Sequence, residues 1–122
     1  MVAPALGLLV APGSQDLVDV AIEPDPSGDT HLRSLYAALD VSYVELITLS
    51  DGILLWVDEE ALLKSDVLAN EHLTNMLQTF GWFGQTILGR GVFLSSNEGA
   101  TTSLSDAQRA IITNAHEQAK YM

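Results

Sequence analysis

Cysteine is absent from this chain of 122 residues. That excludes a disulfide framework, a thiol nucleophile and any Cys-based metal site. Basic residues are scarce: five Lys plus Arg stand against sixteen Asp plus Glu, for a formal net charge of −11. Charged residues of both signs make up only 17% of the chain, below the roughly 25% of ordinary soluble domains. The protein is therefore base-poor rather than studded with carboxylates. It cannot neutralise several phosphates, so direct binding to nucleic acid or to an anionic membrane surface is not expected. Long apolar runs are missing too, and none approaches the roughly 18 residues of a membrane helix. The opening stretch from Met1 to Val10 is apolar but has no basic segment, and Pro12-Gly13 cuts it short. Neither a signal peptide nor a membrane span is expected, and the cytoplasm is the expected location.

What is present is apolar bulk, at 48% of residues, enough for one domain over 1–122 with its own core. A surface this poor in charge also points to a face covered by a protein partner or by a second copy. The organising stretch runs from Tyr43 to Leu63. Two β-prone apolar segments flank Asp51-Gly52, a strong hairpin signal because both turn residues then adopt positive φ. A two-residue loop sets Leu49 against Leu54, Ile47 against Trp56, and Glu45 against Asp58. Leu46, Thr48, Leu55 and Val57 then lie on the opposite face. With apolar bulk on both faces, this hairpin belongs within a covered sheet.

Upstream, Leu6 to Val10 reads as a strand, and Val18, Val20 and Ile22 alternate with polar or small neighbours as a second. Pro24 and Pro26 end that run. Asp29 is placed to cap a helix with Leu32, Leu35, Tyr36 and Leu39 on one face. Downstream, Asn70 caps a second helix carrying Leu73, Met76, Leu77 and Phe80. Gln85 to Ser95 reads as a strand with a bulge or close approach at Gly89 and Gly91, ended by Asn97-Glu98-Gly99. Ser105 and Gln108 form the S-x-x-Q box that opens a terminal helix, with Leu104, Ala107, Ile111, Ala115 and Met122 as its apolar stripe. The expected fold is α+β: a mixed or antiparallel sheet of about five strands with three helices.

The chain resembles the bacterial and bacteriophage domain-of-unknown-function family DUF3846. The resemblance lies in Tyr43-Val44-Glu45-Leu46-Ile47, the Asp51-Gly52 turn, and Val57-Asp58-Glu59-Glu60-Ala61-Leu62-Leu63. Val67-Leu68-Ala69-Asn70, Thr86-Ile87-Leu88-Gly89 and Ser103-Leu104-Ser105-Asp106 extend it over most of the chain from Asp29 onward. Asp58 stands where the family has Asn, and Ala61 where it has Gly. The resemblance implies a small intracellular protein of phages, plasmids and their hosts, and it carries over no catalytic residue.

Two groups are candidate sites. Glu45, Asp58, Glu59 and Glu60 gather at one end of the hairpin. Like charges facing each other at Glu45 and Asp58 would repel by about 3 kcal/mol at an effective dielectric near 20. Such a pair can hold a divalent cation or share a proton; alternatively it is the solvated end of the hairpin. Trp82 and Phe83 lie between Gly81 and Gly84. They read either as interface anchors at a loop tip, or as Phe83 capping the core with Trp82 flat on the surface. His31, His72 and His116 stand apart in sequence and lack zinc-helix spacing. There is no phosphate-binding loop, dinucleotide fingerprint or nucleophile elbow.

The functional expectation is a non-enzymatic accessory protein of a mobile element, acting by protein–protein interaction and needing no cofactor. The alternatives are an acidic DNA mimic or anti-defence inhibitor, a virion or assembly component, and a metal-dependent enzyme using the Glu45/Asp58 end.

Overall fold

The computed structural model describes residues 4–26, 31–64 and 66–122. Among these described residues six strands form one antiparallel sheet: β1 (Ala5–Val10), β2 (Val18–Ile22), β3 (Val44–Thr48), β4 (Ile53–Asp58), β5 (Gly91–Asn97) and β6 (Ala100–Thr102). The order across it is β2-β1-β5-β4-β3, with β6 also paired to β5. Three α-helices among the described residues accompany the sheet: α1 (Leu32–Leu39), α2 (Glu71–Thr79) and α3 (Asp106–Ala119). This is the α+β architecture expected, with one further short strand.

The pleat sorts side chains into two layers. Leu8, Val10, Ile53, Leu55, Val57 and Phe93 face α2 and α3, meeting Leu73, Met76, Leu77 and Ile112. On the other face Ala5, Ile22, Val92 and Leu94 meet Leu35 and Leu39 of α1. β4 and β5 are thus covered on both sides, which is why they read as continuous apolar runs.

The helix ends follow local chemistry. The Asn70 side chain accepts from the Leu73 N–H at the start of α2, and Ser105 with Gln108 completes the reciprocal capping box of α3. The expected cap at Asp29 lies outside the described residues. At the start of α1 the Arg33 amide donates to Asp25 Oδ1, at 3.0 Å. The α3 stripe is rotated from expectation: Ile112, Ala115, His116 and Ala119 are buried, while Ala107 and Met122 are exposed.

The start of one strand is corrected. The segment from Gln85 to Arg90 is not strand; β5 begins at Gly91. A Cβ at Gly91 would sit 2.4 Å from Leu73 Cδ2, so glycine there lets α2 lie close on the sheet. Asn97-Glu98-Gly99 does end that strand, but the chain then returns as the further strand β6. Glu98 and Gly99 both have positive φ, 52° and 83°, and make the two-residue turn that folds β6 back onto β5.

The hairpin of β3 and β4 is also one residue out of the expected register. Leu46 faces Trp56, Ile47 faces Leu55, Glu45 faces Val57, and Val44 faces Asp58. Asp51 and Gly52 do adopt positive φ, 60° and 73°, but Ser50 joins them in the loop. The Leu49 N–H then closes on the Ile53 carbonyl at 2.9 Å. A one-residue slip moves every side chain to the other face. Because β4 is apolar on both faces, its own pattern did not choose between the registers.

Candidate functional site

The register change dissolves the Glu45/Asp58 pair. Asp58 lies on the α1 side, buried, where Lys64 Nζ approaches Oδ2 at 2.7 Å and the Glu60 amide donates to Oδ1 at 2.9 Å. The Asp58 carboxylate, chiefly through that hydrogen bond, raises the Lys64 pKa above its ordinary value. Asp58 is therefore an ion-paired turn residue, and its two oxygens are occupied. Among the described residues no group of three or more His, Asp or Glu is placed to hold a metal ion.

The same slip brings Glu59 into register. Its amide donates to the Tyr43 carbonyl at 3.2 Å, extending the β3–β4 ladder by one step. Glu59 then shares a face with Glu45 as its diagonal neighbour, a relation that spaces residues by about 7–8 Å. Neither carboxylate has a hydrogen-bond or ion-pair partner among the described residues.

These residues border a small cleft that also receives Trp82. Its walls are Glu45 and Ile47 from β3, Val57 from β4, Glu59 beyond it, and Trp82 with Ile87 from the loop after α2. The cleft volume is about 60 Å³. Metabolite sites run to roughly 300 Å³ or more, so this one takes the head of a single side chain. The two candidate groups, read from the sequence as separate, thus meet at one place. Asp58 also borders the cleft, although Lys64 holds its carboxylate, and Glu60 is not part of the lining.

The aromatic pair divides its roles. Trp82 is half-buried and packs against the core, lining the cleft with Ile47 and Ile87. An added Cβ at Gly84 would lie 2.3 Å from its indole, so Gly84 makes the space into which the ring folds back. Phe83 instead stands out, 74% exposed. This reverses the alternative in which Phe83 capped the core and Trp82 lay outside.

The loop carrying these rings is fixed from below by Asn70, which is fully buried. Its Nδ2 donates to the Val10 carbonyl at 3.1 Å and the Gly89 carbonyl at 2.9 Å. Its own amide donates to the Ile87 carbonyl at 2.8 Å, and Thr74 Oγ1 accepts from the Ile87 amide at 2.9 Å. The cleft residues Gln85, Thr86 and Leu88 were missed because that stretch was read as strand. The Gly89 and Gly91 pair was the available sign that β5 starts later.

Two histidines expected to stand apart are in fact together. His72 of α2 and His116 of α3, 6% and 8% exposed, meet Nε2 to Nδ1 at 2.8 Å. Burial lowers both pKa values; Lys120 adds to this for each, and His116 also opposes a charge on His72. Glu117 and Asp16 pull His116 the other way. No linear spacing connects residues on separate helices, so only packing could reveal this pair. His31 sits at the N-cap position of α1.

Comparison with known proteins identifies a family. The family model described as Domain of unknown function (DUF3846) matches residues 6–117, which includes the N-terminal hairpin as well as the segments that carried the resemblance. No curated protein and no solved structure matches the chain. Among the described residues no helix is long and apolar enough to cross a membrane.

Proposed function

The chain belongs to the DUF3846 family, and from that premise we propose that it is a small non-enzymatic protein that works by binding another protein. The setting that the family resemblance implies is accessory work for a phage or another mobile element. The observation that carries the reading is Phe83: a whole aromatic ring, 74% exposed, on a short loop stiffened from behind by the packed Trp82. Leaving such a ring in water is unfavourable by about 2 kcal/mol relative to burying it, and rigid aromatics are enriched among interface anchors because little entropy is lost on docking. The scarcity of charge across the chain agrees with a surface that is covered in use.

The test is capture from a lysate of the natural host by immobilised wild-type protein and by Phe83→Ala. Phe83 packs on nothing that folding requires, so the variant should keep its circular dichroism spectrum and its melting temperature. A partner held through this ring should bind the variant about 30-fold more weakly, the equivalent of about 2 kcal/mol. Equal recovery by the two proteins would remove Phe83 from the interface and with it the basis of this reading.

A further inference from the structure

Among the described residues, no strand lies on the outer side of β3. It is the last strand in the order β2-β1-β5-β4-β3, and so presents a free edge. Exposed edges are normally blunted by proline, lysine, a bulge or a covering segment. The sequence Val44-Glu45-Leu46-Ile47-Thr48 has no proline and no lysine, carries a single charge at Glu45, and keeps an unbroken ladder to β4.

The ladder also shows which backbone groups are free. The bonds from Glu59 to Tyr43 and from Leu49 to Ile53 fix Glu45 and Ile47 as residues whose N–H and C=O point inward to β4. By the alternation of antiparallel pairing, Val44, Leu46 and Thr48 point theirs outward. A strand added here would bond to those three residues. Its side chains would alternate between two different surfaces. On one face they would meet Leu46, which is exposed, between Val44 and Thr48. On the other they would meet Glu45 and the cleft walled by Ile47, Glu59 and Trp82.

We propose that β3 is the docking edge for an extended, cationic segment of a partner protein, added as a seventh strand with arginine or lysine alternating with apolar residues. This rests on the reading that the protein acts by binding another protein, and it names the chemistry of that partner. Charge complementarity selects the occupant. Of the three carboxylates that line the cleft, Asp58 is paired with Lys64 while Glu45 and Glu59 have no partner among the described residues, the lining contains no Lys or Arg, and the chain as a whole carries −11. A cation directly across from Glu45 makes an opposite-charge cross-strand pair. Its head reaches the cleft, where the Trp82 ring offers an aromatic face. A second copy is a poorer occupant. Two β3 strands pairing antiparallel about Leu46 would set each Glu45 against Ile47 and bring two chains of −11 together, which repel.

The experiment uses the whole isotope-labelled chain and a blocked hexapeptide of alternating valine and arginine, with citrulline replacing arginine in the control. The arginine peptide should slow hydrogen exchange at the amides of Val44, Leu46 and Thr48. It should bind at least 10-fold more tightly than the citrulline peptide. The Glu45→Gln, Glu59→Gln double variant should lose that preference while folding normally, because neither carboxylate bonds to another described residue in the free protein. Equal binding of the two peptides, protection at other residues, or no binding at millimolar peptide would each overturn the proposal. Concentration-dependent dimerisation that protects the same three amides would assign the edge to a second copy, and would equally overturn it. Host-partner capture that depends on Phe83 but is untouched in the Glu double variant would leave the broader reading standing and sink this one alone.

Discussion

Replacing Asn70 with Ala tests the joint that holds the cleft loop to the sheet. Two kinds of interaction are lost together. Loss of the cap on the Leu73 amide costs about 1 kcal/mol. Removing Nδ2 leaves the carbonyls of Val10 and Gly89 without that donor, in a place with little water. Each such loss costs about 1 kcal/mol. The expected total is about 3 kcal/mol, a drop in melting temperature of about 9 to 15 °C for a domain of this size. Asn70→Asp separates the two parts. The carboxylate still caps α2 and suits the helix dipole, but it points an acceptor at two carbonyl oxygens. If the clamp dominates, Asp is as harmful as Ala or worse; if capping dominates, Asp is nearly neutral. Urea unfolding followed by circular dichroism reads both variants. An Asn70→Asp protein as stable as wild type would refute the clamp argument. A loss under about 1 kcal/mol in Asn70→Ala, no more than a cap alone is worth, would refute the summed magnitude altogether.

Acid should weaken the α2–α3 seam. The folded pKa values of His72 and His116 are lowered, while the unfolded chain binds protons near pH 6.5. The pair's contribution is therefore complete above about pH 7 and is lost as pH falls through the lowered folded values. The urea midpoint should drop between about pH 7.5 and about pH 5, less so in the His72→Gln, His116→Gln double variant, and equal slopes for the two proteins would refute the assignment. Gly84→Ala should push the Trp82 indole out of its seat, since the new methyl would lie 2.3 Å from the ring. A red shift in tryptophan emission is expected, and an unchanged spectrum would contradict the packing described.

Wherever one short segment decided the matter, the sequence was sufficient. The caps at Asn70 and Ser105, the alternation of Val18, Val20 and Ile22, and the positive φ at Asp51 and Gly52 are local preferences of the backbone and its nearest side chains. The presence of a sheet with three helices follows from these. It was equally legible that Glu45, Glu59, Trp82 and Phe83 are unusual residues for their positions. Their assembly was not. Register between β3 and β4 turned on whether Ser50 entered the loop, and a strand apolar on both faces gives no preference for either pairing. That single residue decided that Glu45 shares its face with Glu59, and that Asp58 turns away to Lys64. The union of the hairpin carboxylates with Trp82, and the meeting of His72 with His116, likewise needed elements far apart in the chain to pack. Side-chain alternation is fixed within a strand, but which neighbour it meets is settled only when the sheet and its helices close together, because burial rewards the sum of contacts and not any one segment's pattern.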